Sequence, residues 1–358
     1  MKLQEFLVRK DDLSKTRVVE RAVPELQANG LLLKVQQFGL TTNNITYGAV
    51  GDRFGYWNFF RADDGWGIIP VWGIGEVVET RHPEIKNGEC LYGYFPMASH
   101  LTVTAGKVNA QRVVDIVEHR SRLPPVYNNY ARLAYEPGYE PSFDRERLAL
   151  LPLYATSYCI YDFLRDKNWF GATQVAIVSA SSKTAIGLAY ALHDDKSGPR
   201  SVGITSSRNL AAVEDIGLYG QVVSYDNFEK VDASKATVIV DLAGDGEFLS
   251  SLHRHLGDNM KYCSNVGFTH IDAEGAGAGY IGHRSEFFFA PNHIKKRADE
   301  WGPGEFEKRS LAFWRDAAIR SRDWLTIERL EGAAALEGIF RELRQSKIAP
   351  SRGIVISL

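Results

Sequence analysis

The stretch Val175-Ala176-Ile177-Val178-Ser179-Ala180-Ser181-Ser182-Lys183-Thr184-Ala185-Ile186-Gly187-Leu188-Ala189 decides the fold of this chain. Four apolar residues read as a buried parallel strand, a polar turn follows, and the residues from Thr184 onward carry helical spacing. A strand–turn–helix of this kind holds a dinucleotide pyrophosphate on free backbone N–H groups at the helix N-terminus. The usual G-x-G-x-x-G pattern places glycine where the turn is tight and where backbone approaches phosphate. Here Ser181, Ser182, Lys183 and Thr184 fill the loop, and only Gly187 remains, further along. Two readings stay open: side chains replace the bare backbone at the phosphates, or the site has decayed.

Downstream the alternation continues. The segments 201–205, 221–225, 237–241 and 260–266 read as strands, and 184–193, 209–217 and 246–256 as helices. Strands alternating with helices imply βαβ units and a right-handed parallel sheet. Upstream, residues 1–108 are β-rich: Leu31–Phe38, Gly75–Thr80 and Leu101–Thr104 are strand-like runs between Gly, Pro and Asn turns, which suits a small barrel. Residues 109–150 are rich in proline and tyrosine and weak in periodicity. They read as a connecting segment, either an ordered linker or a loop that walls a pocket. Residues 151–300 form the doubly wound domain. In 301–358 a helical tail over 306–345 precedes a last strand, 352–358. The fold class is therefore α/β, a barrel followed by a doubly wound parallel sheet.

Composition limits the function classes. The chain has 358 residues, 44% hydrophobic, and a net charge of −2, which gives no bulk attraction to nucleic acid or to an anionic membrane. Cys90, Cys159 and Cys263 stand far apart, with no C-x-x-C pair, which argues against a disulfide framework or a structural zinc site and fits a reducing compartment. The first residues carry charges where a signal peptide would have an apolar core, and there is no apolar run long enough to span a membrane. The expectation is a soluble cytoplasmic protein.

Several segments together carry a family resemblance. Pro70-Val71-Trp72-Gly73-Ile74-Gly75-Glu76-Val77-Val78, Gly88-Glu89-Cys90-Leu91-Tyr92-Gly93 and Leu151-Pro152-Leu153-Tyr154-Ala155-Thr156-Ser157-Tyr158 resemble three motifs of the medium-chain dehydrogenase/reductase superfamily. The similarity is to its zinc-free quinone and enoyl reductases, in an uncharacterised bacterial branch. It implies a GroES-like catalytic barrel, a Rossmann cofactor domain, a C-terminal return to the barrel, and a homodimer. Trp72 and Asn43-Asn44 fall where zinc-dependent members carry metal ligands, so no metal is expected.

In such zinc-free reductases a tyrosine can polarise the substrate carbonyl. Tyr47 stands at the matching place, with Asn44 as a supporting polar contact, and a phenol can donate to a developing enolate oxygen. The bland alternative is that Tyr47 caps a barrel turn. Tyr56, Trp57, Phe59 and Phe60 follow; Tyr56, Trp57 and Phe60 are read as walls of a hydrophobic substrate pocket, with plain core as the alternative.

The cofactor implied is NADP(H). The second strand of the Rossmann unit ends in Thr205-Ser206-Ser207-Arg208, without the carboxylate that NAD-preferring sites place there. Arg208 offers a planar fork of donors for a 2′-phosphate, and Ser206 and Ser207 offer hydroxyls. The segment resembles the "T-S-S-x-x-K" of NADP-dependent quinone and enoyl reductases, in which a tyrosine matching Tyr225 flanks the same phosphate. Asp241-Leu242-Ala243-Gly244 and Asn265-Val266-Gly267-Phe268 resemble the loops that border the riboses and nicotinamide, which assigns Ala243 and Gly267 to the cofactor site. The Ser-Lys-Thr turn is not a P-loop, because both glycines of that motif are missing. His253 and His255 read as solvated residues of a surface helix, and His270 or His283 as a proton relay beside Gly275–Gly279. The charged tail reads as a solvated helix face rather than a nucleic-acid patch. The leading expectation is a zinc-free NADPH-dependent oxidoreductase acting on a C=C or C=O of a small hydrophobic molecule. The alternative is an NADP(H)-binding or sensor protein of the same fold without turnover.

Overall fold

The structure is a computed structural model and describes residues 2–267 and 279–358. Strands β1 (Lys2–Arg9) and β2 (Thr16–Ala22) form a hairpin, followed by β3 (Gly30–Leu40) and the short helices α1 (Thr42–Ala49) and α2 (Gly51–Phe54). Then come β4 (Trp66–Gly67), β5 (Pro70–Thr80), β6 (Cys90–Pro96), β7 (His100–Val108), β8 (Arg112–Asp115) and β9 (Asn129–Arg132). The antiparallel order β3-β5-β6-β9-β8-β7 returns to β3 through Gly30↔Thr104 to Lys34↔His100, which closes a six-stranded barrel. Closure leaves no free edge inside the ring. Alternate residues Leu31, Leu33 and Val35 of β3 join Leu91, Tyr94 and Phe95 of β6 in its core.

Two strands of this ring lie within 109–150, so that segment builds the barrel wall rather than connecting two bodies. The strands were hidden because each is four residues long, below the length at which alternation is legible. Helix α3 (Asp144–Asp166) follows and contains Pro152. Proline lacks the N–H that would bond the Leu148 carbonyl. That carbonyl packs against Gly39 of β3, where a Cβ would collide with it.

The second compact unit comprises Leu150–Trp324. Its strands are β10 (Gln174–Val178), β11 (Arg200–Thr205), β12 (Gln221–Ser224), β13 (Thr237–Asp241), β14 (Met260–Asn265) and β15 (Ser285–Phe287). They pair in parallel in the order β12-β11-β10-β13-β14-β15, a doubly wound sheet whose order reverses between β10 and β13. Helices α4 (Lys183–Asp194), α5 (Leu210–Asp215), α6 (Gly246–Leu256), α7 (Ala290–Trp301) and α8 (Glu305–Ser321) belong to this unit. Both faces of the sheet are covered. Val175 and Ile177 pack with Leu188 and Leu192 of α4, and Ala176 and Val178 with Leu249 and Leu252 of α6. That two-sided burial explains the unbroken apolar run at 175–178.

The chain ends with β16 (Thr326–Glu331), α9 (Ala333–Arg344) and β17 (Arg352–Ser357), which fall in the first unit with Met1–Ala149. β17 pairs antiparallel with β3 and parallel with β16. The tail is thus not helical throughout: Thr326–Glu331 is a strand, formed because β17 offers it a partner. No helix among the described residues is long and apolar enough to cross a membrane.

Candidate functional sites

In the doubly wound unit the candidate residues gather at the carboxyl ends of the strands, on both sides of the order reversal. Beyond β10, Ser179 holds φ at +65°, the left-handed region that glycine occupies freely and serine at a cost of about 1–3 kcal/mol. Ser182 is the N-cap of α4 and its hydroxyl accepts from the Ala185 N–H at 3.3 Å. Ser181 Oγ accepts from Asn209 Nδ2 at 3.1 Å. Lys183 and Thr184 open the helix, and desolvation pulls the Lys183 ammonium down to about 8. Gly187 has a packing role: a Cβ there would stand 2.5 Å from Ser157 Oγ and 2.7 Å from Tyr154 Cδ1 of α3.

At the end of β11, Thr205 is buried, and among the described residues neither Thr205 Oγ1 nor Ser206 Oγ has a hydrogen-bond partner. Ser207 Oγ donates to Asp226 Oδ2 at 2.7 Å, so a carboxylate does stand beside this strand end. The sequence hid it because Asp226 follows β12 rather than β11. Arg208 is exposed beside them. Tyr225 is bonded to Ser179, and burial pushes its phenol up to about 12.

At the end of β13, Asp241 Oδ1 accepts from the Ala243 and Gly244 N–H groups, each at 3.0 Å, and so shapes the loop. Its other oxygen is buried without a partner among the described residues, and burial raises the carboxyl to about 6. The Asp241 carbonyl accepts from the Val266 and Gly267 N–H groups at 2.8 and 2.9 Å. Gly267 lies so close to Leu242 that a Cβ would come within 2.8 Å of its backbone. Ser264 Oγ, on β14, is also buried without a partner among the described residues. Buried hydroxyls and a carboxyl oxygen left unsatisfied cost about 1–3 kcal/mol each unless water or a ligand completes them.

His253 is not solvated as its flanking charges suggested. It is fully buried, its Nδ1 accepts from the Ile281 N–H at 3.0 Å, and its ring stacks on Tyr280 at 4.8 Å. Burial pulls its imidazole down to about 4. The amphipathic pattern of α6 placed it on the apolar face, which the sequence reading overlooked. His283 is exposed, and His270, Phe268 and Gly275–Ala278 lie outside the described residues.

The barrel unit holds a second group of candidates. Tyr47 lies on helix α1, not in a turn, and is 7% exposed. It stacks on Tyr56 with ring centres 4.2 Å apart and meets Tyr94 edge-on at 6.2 Å. Trp72, Tyr94, Tyr127 and Phe59 continue the aromatic cluster, with Tyr94 and Tyr127 at 4.6 Å. Asn43 Nδ2 donates to the Tyr47 oxygen at 2.8 Å. Burial drives the Tyr47 phenol well up, Tyr127 adds to this, and Tyr94, Asn43 and Trp72 oppose it.

Asn44 is corrected by this geometry. Its Oδ1 accepts from the Thr41 N–H at 2.8 Å and its Nδ2 donates to the Pro70 carbonyl at 3.0 Å, so it caps α1 and ties it to β5. Its amide is consumed by backbone, and Asn43 is the asparagine that meets the phenol. Once α1 is known to be a helix, the i, i+4 spacing of Asn43 and Tyr47 predicts that contact. Trp57 and Phe60 are core rather than pocket wall: the Trp57 indole lies against Gly51 and Gly67, and the Phe60 ring faces the buried Arg120 at 5.2 Å. Of the three, Tyr56 stacks on Tyr47. Among the described residues no three His, Cys, Asp or Glu side chains gather in a way that could hold a metal ion.

Comparison with solved structures shows the fold shared across whole chains at low identity. CurA from Vibrio vulnificus superposes with a TM-score of 0.66 at 11% identity, covering 99% of this chain and 98% of that one. Mycobacterial Rv1454c, crystallised with NADPH, gives 0.63 at 13%, covering 99% and 100%. The quinone oxidoreductase from Coxiella burnetii gives 0.54 at 14%, covering both chains fully. The chain thus shares its barrel-plus-Rossmann fold with these solved proteins. No curated protein matches it. Residues 38–349 match the family described as "Protein of unknown function (DUF2855)".

Proposed function

The chain belongs to the DUF2855 family, and we propose that it is a zinc-independent, NADPH-dependent oxidoreductase acting on an activated C=C or C=O of a small hydrophobic molecule. The observation that carries this reading is the set of buried polar atoms without a partner among the described residues at or near the carboxyl ends of the strands: Thr205 Oγ1, Ser206 Oγ, Asp241 Oδ2 and Ser264 Oγ. Open α/β sheets bind ligands beyond the carboxyl ends of strands at the order reversal. Solved proteins of this fold include two crystallised with NADPH, Rv1454c and CurA. Zinc independence is part of the proposal and is supported by Trp72 and the Asn43–Asn44 pair, which stand where zinc-dependent members of the resembled superfamily carry metal ligands.

Lys183 and the α4 N-terminus would hold the pyrophosphate, Arg208 and Ser206 the 2′-phosphate, and the Ala243 and Gly267 backbone the riboses and nicotinamide. The bound nicotinamide would supply the hydride. Tyr47 keeps its proton because burial disfavours the phenolate. Asn43 donates to the Tyr47 oxygen, so the phenol is the acceptor in that bond and its own proton is left for another partner. A donor held in that way stabilises a developing oxyanion without reorganising. A homodimer is part of the proposal: β15 is the edge of its sheet and carries Phe287 at 47% exposure.

Calorimetric titration with NADPH tests the reading, and no binding at about millimolar concentration would overturn it. Lys183→Ala should weaken binding. Affinity should also fall as pH rises through about 8, where Lys183 loses its charge. In a panel of enones and ketones, Tyr47→Phe should lower turnover by about ten- to a hundredfold while leaving NADPH affinity intact. The second reading is an NADP(H)-binding or sensor protein of the same fold without turnover, which the glycine-poor turn at 179–184 favours. NADPH binding without turnover on any substrate would support it.

A further inference from the structure

The register of the parallel sheet brings together two residues that are far apart in sequence. Thr205 of β11 pairs with Ser224 of β12, and Ser207 and Asp226 each lie two residues beyond that pair. They meet side by side past the strand ends, where the Ser207 hydroxyl donates to Asp226 Oδ2 at 2.7 Å. Both are exposed, as is Arg208.

We propose that Asp226 is a specificity-determining residue that weakens binding of a 2′-phosphorylated ribose relative to an unphosphorylated one. The proposal rests on the dinucleotide reading above. In Rossmann sites a carboxylate at the end of the second strand accepts from a ribose 2′-hydroxyl and repels a 2′-phosphate; Asp226 follows the third strand, but its bond to Ser207 brings the same charge to that strand end. The hydroxyl of Ser207 points its proton at Asp226 and so is not offered to a phosphate unless that charge-assisted bond breaks. Arg208 acts in the opposite sense, since a guanidinium attracts the phosphate. Acid and base on adjacent strand ends therefore leave the site less selective for NADPH than Thr205–Arg208 implies on its own.

The test is the pair of dissociation constants for NADPH and NADH, measured by calorimetry at low ionic strength. Asp226→Asn should tighten NADPH about tenfold and leave NADH unchanged or slightly weaker, with the gain shrinking as salt is added. Ser207→Ala, which keeps the charge, should not tighten NADPH comparably; an equal gain in both variants would overturn the charge account. An unchanged NADPH-to-NADH ratio in Asp226→Asn would overturn the proposal while leaving the dinucleotide reading intact. Binding of neither nucleotide by the unaltered chain would overturn the dinucleotide reading and this proposal with it.

Discussion

Asp241 is 1% exposed, and one of its carboxylate oxygens serves two backbone N–H groups while the other is unsatisfied among the described residues. Burial raises its carboxyl to about 6, above the ordinary value near 3.9 that holds in the unfolded chain. The folded state therefore binds this proton more tightly. The stabilisation is present below about pH 4 and is lost as pH rises through about 6, by on the order of 2 kcal/mol. Asp241→Asn keeps the oxygen that the Ala243 and Gly244 N–H groups need and removes the titration. Urea melts of the ligand-free protein at about pH 5 and about pH 7.5 should show the variant gaining most at the higher pH. An identical pH dependence in both proteins would refute this account. At the same scale, position was legible in the sequence where it is set locally, as for Ser206 past a strand end and Lys183 at a helix start. It was illegible for Asn44, whose amide is committed to Thr41 and to Pro70, 26 residues away.

Helix α4 shows how an element is placed by what it lacks. Its residues Ala185 to Leu192 are all buried, and Gly187 lets it approach α3 closely enough for Ser157 Oγ to donate to the Thr184 carbonyl at 2.7 Å. Gly187→Val would drive a branched side chain into Ser157 and Tyr154 and should cost about 1–3 kcal/mol. A chemical melt measures this, and a loss below about 0.5 kcal/mol would mean that the helices separate without penalty. The strand–helix alternation from 174 to 265 was readable because each element there carries its own period. Strands β8, β9 and β16 were not, being short or half-exposed and defined mainly by the neighbour that receives their hydrogen bonds. The burial of His253 belongs here too: the amphipathic pattern of α6 puts it on the apolar face, and Tyr280 and Ile281 pack against it.

Across the whole molecule, the barrel unit is discontinuous in sequence: Leu325–Leu358 completes what Met1–Ala149 begins. β17 supplies this closure through Ile354↔Leu40, Val355↔Gly39 and Ile356↔Phe38, and all three of its apolar residues are nearly fully buried. Val355→Ala should destabilise the protein by about 1–3 kcal/mol through lost burial and a residual cavity. A loss near zero in equilibrium unfolding would show that the C-terminal strand is dispensable. The amino-acid sequence by itself determined the α/β class, the parallel strand–helix alternation, the polar turn between β10 and α4 and the aromatic group around Tyr47. Those features depend on periodicity and residue type, which act within a few residues. Only the tertiary structure decided that the ring closes through β7 and β3, that Asn43 rather than Asn44 meets the phenol, and that Asp226 stands beside Ser207. Each of these depends on strand register or helix packing, which joins residues that no local pattern connects.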